Sequence, residues 1–97
     1  VQPEEGSQIP GIRKWPEEYL PKIFTKKNID SVINVGQEDA ENTARLLATK
    51  EGVFSGASTG GALFVAMQIA KKDSSAIIVS IACDRGDRYL STGMFPA

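Results

Sequence analysis

Residues 56–83, GASTGGALFVAMQIAKKDSSAIIVSIAC, decide the fold because they place an apolar helix directly before an apolar strand. A helix is predicted over about Gly60–Lys72, and its centre, Ala62–Met67, is apolar on all sides, as in helices buried on more than one face. The run Ala76–Cys83 is almost continuously apolar, which is typical of a strand inside a parallel sheet. This pair predicts an α/β fold with a mainly parallel sheet.

The segment before this pair adds one more strand and one more helix. Ser31–Val35 is a short β-branched run and predicts a strand. Glu38–Lys50 carries apolar residues along one helical stripe, and Gly52 follows as an αL stop. Val1–Pro21 holds four of the five prolines, so we expect an ordered loop with one helical turn at Pro16–Leu20.

These elements are too few to cover their own apolar surfaces. The chain has 97 residues, the size of one small domain. Two helices and two strands cannot bury both a fully apolar helix and a strand with two apolar faces. We therefore expect residues 1–97 to be one segment of a larger domain whose N-terminal part is absent.

The composition excludes several classes of function. Eleven basic and twelve acidic residues leave a net charge of -1, so we expect no nucleic-acid partner. The apolar runs are too short to span a bilayer, and no secretory leader opens the chain, so we expect no membrane association. The single cysteine, Cys83, favours an intracellular location. Because there is no histidine, imidazole catalysis is excluded for this chain alone, and we expect no metal site.

The glycine-rich loop Gly56–Gly61 is the strongest candidate functional motif. It matches the G-x-S-x-G pattern of serine hydrolases, but no histidine is present to activate Ser58, so that function would need a base from another segment. The loop is not a Walker A motif, because no lysine follows the glycines. Two interpretations stay open: a helix start capped by Ser58 or Thr59, and a turn at which Ser58 bonds a ligand at the positive end of the helix.

Several segments resemble the cysteine synthase family, in particular its B-type O-acetylserine sulfhydrylases. The matching segments are Gln2–Trp15, Asp39–Ala44, Glu51–Phe54 with Gly56–Gly61, and Cys83–Gly93. The resemblance covers nearly the whole chain. It implies that residues 1–97 are the C-terminal segment of the catalytic domain of a fold-type II pyridoxal-phosphate (PLP) enzyme, a three-layer, tryptophan synthase β-like fold.

The resemblance also implies a role for Ser58. It corresponds to the family's serine that hydrogen-bonds the pyridine nitrogen of PLP. A neutral hydroxyl there would leave the ring largely unprotonated, and such tuning is the usual contribution of the protein to cofactor chemistry. Ala57 and Thr59 stand where the family often has isoleucine or valine and serine, so the packing around the ring is expected to differ.

Further site residues follow from the same resemblance. Arg13 matches an arginine on an active-site loop, where a guanidinium suits an anionic sulfur donor such as thiosulfate; the alternative is a solvated loop cation. Cys83 and Asp84 match residues at the end of the last strand, near the cofactor, and the alternative for Cys83 is a buried structural thiol. We expect the charged residues of this loop to form ion pairs that keep the site in place: Asp84, Arg85, Asp87 and Arg88.

The residues that perform the chemistry are expected elsewhere. The family's Schiff-base lysine, substrate loop and phosphate loop lie upstream of Val1, so no catalytic residue is expected in this segment, and the chain alone should be inactive. The implied activity is β-elimination of acetate from O-acetylserine, then addition of sulfide or thiosulfate to give cysteine or S-sulfocysteine, in a cytoplasmic homodimer. The alternatives are another fold-type II β-replacement enzyme, either cystathionine β-synthase-like or O-phosphoserine-using, and a non-catalytic binding module.

Overall fold

The computed structural model describes residues 1–95, apart from the side chains of Glu17 and Lys26. Two α-helices dominate it: α1, Gln37–Glu51, and α2, Ala57–Lys72. The predicted α1 is confirmed, with one further residue at each end. Helix α2 is also confirmed, but it begins three residues earlier than expected, so most of the glycine-rich loop lies inside its first turns.

The two helices pack closely because small residues face each other. Ala40 and Ala44 of α1 are fully buried, as their apolar stripe predicts. At Gly60 of α2, an added Cβ would lie 2.0 Å from the carbonyl oxygen of Ala40. Any side chain at this glycine would therefore push the helices apart. Helix α1 ends at Gly52 in the left-handed region, with φ of 68°, and this confirms the expected stop.

The sheet is small and parallel. Strand β1, Gln2–Pro3, pairs with strand β2, Asn34–Val35, in the register Gln2 to Asn34 and Pro3 to Val35. The predicted strand over Ser31–Val35 is thus shortened to its last two residues. Its partner was not predicted, because β1 lies in a proline-rich stretch. Val35 is 1% exposed and joins the sheet to the core.

The remaining regular structure is made of 3₁₀ turns. Glu17–Tyr19 forms one of them and confirms the helical turn expected at Pro16–Leu20. A second lies at Lys26–Asn28. The third, Gly86–Thr92, occupies a stretch for which we expected an ion-paired loop and no helical turn. This last turn positions Tyr89 beside the start of α2.

The strand predicted over Ala76–Cys83 is absent from the structure, so this prediction is wrong for the described residues. Ile77, Val79 and Ile81 are 96%, 88% and 76% exposed. A strand needs a neighbour to bond its backbone N–H and C=O groups, and residues 1–95 place none beside this run. The apolar surface of α2 is likewise only partly covered, since Ile69 is 40% exposed. No helix within residues 1–95 is long and apolar enough to cross a membrane.

The core lies where α1, α2, β2 and the two ends of the described chain meet. It consists mostly of small and medium-sized apolar side chains, with larger ones packed at its edge. The buried members are Ile9, Val35, Ala40, Ala44, Ala57, Val65 and Met94. Because Ile9 and Met94 come from opposite ends of the sequence, the core ties the N-terminal loop and the last turn to the start of α2.

Candidate functional site

The start of α2 is bonded to a carboxylate that lies far away in the sequence. Oδ1 of Asp84 accepts the backbone N–H groups of Gly56 and Thr59 at 3.1 and 3.2 Å, and Oδ2 accepts the N–H of Ser58 at 3.1 Å. The N-cap residue Gly56 offers no side chain for this purpose. Asp84 therefore satisfies the free N–H groups of the helix and places a negative charge at its positive end.

This arrangement corrects the prediction that Ser58 or Thr59 caps the helix. Both residues lie inside the first turn, because α2 begins at Ala57. The hydroxyl of Thr59 donates to Oδ1 of Asp84 and does not accept a backbone N–H as a cap would. A sequence pattern cannot reveal this cap, because the capping residue lies 25 to 28 residues beyond the N–H groups that it accepts.

A second hydroxyl completes the shell around the carboxylate. The phenol of Tyr89 donates to Oδ2 of Asp84 at 2.8 Å. The expected ion-paired loop is found only for Arg85 and Asp87, which lie 3.3 Å apart and are both largely exposed. In the described residues Asp84 takes part in hydrogen bonds and not in that ion pair, so this part of the prediction is wrong.

The hydrogen bonds shift the pKa values of Asp84 and Tyr89 in opposite directions. Burial raises the pKa of Asp84, but hydrogen bonds from Thr59, Ser58 and Tyr89 outweigh it and lower the pKa to about 2. Burial and the hydrogen bond to the Asp84 carboxylate raise the pKa of Tyr89 to about 12. Asp84 is an anion and Tyr89 a neutral donor at neutral pH, and these shifts widen the pH range over which both states persist.

Ser58 lies between this carboxylate and the N-terminal loop. It is 4% exposed, and its Oγ lies 3.0 Å from Sγ of Cys83, within hydrogen-bond distance. Gly11, in the left-handed region with φ of +89°, approaches so closely that an added Cβ would lie 3.0 Å from Oγ of Ser58. Cys83 itself is exposed, which argues against the buried structural thiol.

A cavity of about 540 Å³ opens beside Ser58. Its lining joins the N-terminal loop, the start of α2 and the last turn: Pro10, Gly11, Ser58, Cys83, Asp84, Arg88, Tyr89 and Thr92. Three of the four site residues predicted from the sequence, Ser58, Cys83 and Asp84, therefore meet in one place. Its volume is in the range of small-molecule sites, about 300–1,000 Å³.

Arg13 does not belong to this cavity. Its guanidinium lies over the ring of Trp15, 5.5 Å from the centroid, in a cation–π contact on the exposed N-terminal loop. A larger opening, of about 1040 Å³, runs along this loop and includes Arg13 but not Ser58. We place the candidate site beside Ser58, because buried hydrogen-bonding groups converge there. The active-site role of Arg13 stays a prediction.

Tyr89 is the site residue that the sequence analysis missed. An added Cβ at Gly56 would lie 2.1 Å from its ring and 2.4 Å from the Asp84 carboxylate. The first glycine of the loop is therefore required for Tyr89 and Asp84 to reach the helix. Tyr89 lies in the 3₁₀ turn Gly86–Thr92, which no sequence pattern predicts, and this turn brings it to Asp84.

The described residues contain no cluster of three or more histidine, cysteine, aspartate or glutamate side chains suited to a metal ion. The polar groups at the cavity are hydroxyls, one thiol, one carboxylate and the guanidinium of Arg88. Such a set can bind a polar organic molecule by hydrogen bonds. It offers Ser58 as the hydroxyl nearest the helix start and Cys83 as a neighbouring thiol.

Comparison with known proteins extends these observations. No protein-family model matches the chain. The chain is 59% identical over 95 residues to cysteine synthase B of Escherichia coli strain K12, a match covering 98% of the chain and 31% of that protein. It is 50% identical over 95 residues to cysteine synthase B of Pseudomonas aeruginosa, covering 98% of the chain and 32% of that protein. The chain thus spans about a third of the length of these curated relatives.

Solved structures give the same fold. A cysteine synthase from Entamoeba histolytica matches with a TM-score of 0.81 at 30% identity, over 94% of this chain and 27% of that chain. An O-ureido-L-serine synthase in complex with O-ureido-L-serine matches with a TM-score of 0.82 at 31% identity, over 92% of this chain and 27% of that one. The expected α/β fold is confirmed as that of the cysteine synthases.

Proposed function

We propose that this chain, a relative of the cysteine synthases over almost its whole length, supplies the cofactor-ring side of the active site in a PLP-dependent cysteine synthase. The observation that carries the proposal is the buried Ser58 hydroxyl, which lines a cavity together with Cys83 and Asp84. The identity of 50–59% to cysteine synthases B supports it independently.

The residues present fit the ring of PLP. A pyridine nitrogen needs one hydrogen-bond partner, and the Ser58 hydroxyl can donate to it in place of its contact with Cys83. The Asp84 carboxylate is already engaged by the N–H groups of α2 and by two hydroxyls, so it does not compete for the ring nitrogen. The bound cofactor supplies an electron sink, and a neutral donor such as Ser58 moderates it.

The rest of the active site comes from outside these residues. Among the described side chains no lysine lines the cavity beside Ser58, so the Schiff-base lysine would come from another part of the enzyme. The same holds for a phosphate-binding loop, since the glycine-rich start of α2 is occupied by Asp84. We expect the 97-residue chain alone to be inactive.

The complete enzyme would release acetate from O-acetylserine by β-elimination and then add sulfide or thiosulfate, giving cysteine or S-sulfocysteine. The relatives' name, cysteine synthase B, supports this reaction. Cys83 and Asp84 line the cavity at which these substrates would react, and Arg13 would meet an anionic sulfur donor on the N-terminal loop. A cytoplasmic homodimer is part of the same proposal.

A second candidate is a related β-replacement enzyme with a different substrate. The match to an O-ureido-L-serine synthase, at a TM-score of 0.82 against 0.81 for the cysteine synthase, supports this candidate as well as the first. Substrate profiling of the complete enzyme separates the two. Faster turnover of O-phosphoserine, or of a nucleophile other than sulfide and thiosulfate, would favour the second candidate.

Substitution of Ser58 tests the proposal directly. In the full-length protein loaded with PLP, we expect Ser58→Ala to change the absorption spectrum of the cofactor and to slow acetate release about tenfold or more, since a donor to the ring is lost. Ser74→Ala, an exposed serine in the turn after α2, is the matched control and should change neither. Failure of the wild-type protein to bind PLP, or an unchanged spectrum in Ser58→Ala, would contradict the proposal.

A further inference from the structure

We propose that Tyr89 is a positioning residue for Ser58 and acts through the Asp84 carboxylate; this inference rests on the function proposed above for Ser58. The hydroxyl of Tyr89 donates to Oδ2 of Asp84 at 2.8 Å. The same oxygen accepts the backbone N–H of Ser58 at 3.1 Å. A single carboxylate oxygen therefore links the phenol to the residue whose hydroxyl faces the cavity.

Tyr89 adds a restraint on the orientation of Asp84 beyond the donors at the start of α2. The terminal torsion of an aspartate side chain is broad, so its two oxygens can rotate. Within the described residues, the salt bridge of this loop joins Arg85 to Asp87 and leaves Asp84 out. Donors from α2 reach both oxygens, but Tyr89 is the donor that approaches from outside the helix. It therefore helps to hold the carboxylate oxygen that accepts the N–H of Ser58 in its place.

The ring of Tyr89 is fixed independently of its hydroxyl. It packs against the hydrophobic core from its edge and lies so close to Gly56 that an added Cβ there would be 2.1 Å from Cε2. Removing the hydroxyl alone leaves these contacts in place. The contribution of the hydrogen bond can thus be separated from that of the packing.

Ser58 has little freedom to compensate for a shift of its backbone. Gly11 contacts it on one side, and Cys83 lies 3.0 Å from its Oγ on another. A small rotation of the first turn of α2 therefore changes where the hydroxyl points in the cavity. In this way Tyr89, which donates its hydrogen bond to Asp84, controls the direction of the Ser58 hydroxyl.

Amide hydrogen exchange on the full-length protein tests the contact without any need for catalysis. In Tyr89→Phe we expect the amides of Gly56, Ser58 and Thr59 to exchange about five- to tenfold faster, with the interior of α2 unchanged, since one charge-assisted hydrogen bond is lost. The matched control is Tyr19→Phe, because Tyr19 is 66% exposed. Exchange equal to that of the control, or a uniform increase across both helices, would overturn the proposal.

The cofactor spectrum is the second readout. In the PLP-loaded protein, Tyr89→Phe should shift the absorption spectrum in the same direction as Ser58→Ala, whereas Tyr19→Phe should leave it unchanged. Faster exchange at Ser58 with an unaltered spectrum would refute the positioning role. A full-length protein that binds no PLP would contradict the function proposed for Ser58. In that case the hydrogen-exchange result alone would test the contact of Tyr89 with Asp84.

Discussion

The carboxylate of Asp84 accepts the backbone N–H of Ser58 at 3.1 Å across a separation of 26 residues. This contact is one of several that join the segment before the last turn, Gly86–Thr92, to the start of α2, Ala57–Lys72. It places a full negative charge where the helix dipole is positive, an arrangement that stabilises both groups. The candidate site is therefore built on the same interaction that holds the two segments together.

Removing the charge of Asp84 should destabilise the protein. We expect Asp84→Asn to lower the free energy of unfolding by about 1–2 kcal/mol, because the amide weakens the interaction with the helix dipole and with several donors. Urea unfolding of the full-length protein measures this. Asp87→Asn is the control, since Asp87 forms only an exposed ion pair with Arg85 and its loss should cost less than about 0.5 kcal/mol. Equal effects of the two changes would contradict the special role of Asp84.

Acid should weaken the same contact. The pKa of Asp84 falls from its ordinary value of 3.8 to about 2 in the folded chain. A group whose folded pKa is depressed contributes stability above its unfolded pKa, and this contribution disappears as the pH falls through the folded value. We therefore expect the advantage of the wild type over Asp84→Asn to be constant above about pH 5 and to vanish towards about pH 2. Unfolding by urea across this range tests it, and a difference that persists at pH 2 would argue against a charged cap.

A rise in pH should remove the stability that the hydrogen bond of Tyr89 contributes. The pKa of Tyr89 rises from 10.0 to about 12, so its hydrogen bond contributes stability below its unfolded pKa, and this is lost as the pH rises through about 12. The ultraviolet absorption of phenolate, recorded during titration, reports the pKa. Comparison with Tyr89→Phe isolates its signal. Titration of Tyr89 at its ordinary value would show that its hydroxyl is not bonded to a carboxylate.

A methyl group at Gly56 should disrupt the site. An added Cβ would lie 2.1 Å from the Tyr89 ring and 2.4 Å from the Asp84 carboxylate, so Gly56→Ala forces both away from the helix. We expect a loss of about 1–3 kcal/mol in stability, as for an overpacked core. Gly36→Ala is the matched control: Gly36 is the N-cap of α1, also in an extended conformation, and its Cβ would meet the ends of the Glu4 and Asp39 side chains at 3.1 Å or more. Similar losses in the two variants would rule out the steric explanation.

Much of the helical structure was predictable because its causes are local. The stripe through Ala40 and Ala44 and the stop at Gly52 specify α1 within its own sequence. The start of α2 was misplaced because its cap, Asp84, lies 26 residues beyond Ser58, where no periodicity can reveal it. Tyr89 was missed for the same reason, since its role depends on Asp84 and not on its immediate neighbours.

The strand predicted over Ala76–Cys83 is absent for a different reason. Its apolar sequence predicts burial, but burial requires a neighbouring strand on at least one side. Residues 1–95 supply a sheet of two short strands elsewhere, so the run remains exposed. Composition therefore predicts the environment that a segment prefers, while the structure shows whether the described residues can provide it.

A buried hydroxyl near the site should be dispensable. Ser55 is 2% exposed, and its Oγ has no hydrogen-bond partner among the described residues. An unsatisfied buried polar group costs about 1–3 kcal/mol, so we expect Ser55→Ala to leave stability unchanged or to raise it. Thr59→Val is the contrasting change, since its hydroxyl is bonded to Asp84 and its loss should destabilise. Thermal unfolding compares them; a marked loss of stability in Ser55→Ala would show that this hydroxyl is bonded in the complete enzyme.

The exposed run after α2 should govern the behaviour of the isolated chain. Ile77, Val79 and Ile81 alternate along it and are each at least 76% exposed, which leaves an apolar edge open to pairing with other chains. We expect the 97-residue chain to self-associate and to bind a hydrophobic dye, and the triple change of these residues to threonine to reduce both. Light scattering measures the first effect. In the full-length protein we expect this run to be covered by other residues, so the same triple change should destabilise the fold. A 97-residue wild-type chain that is stable and monomeric would contradict this account.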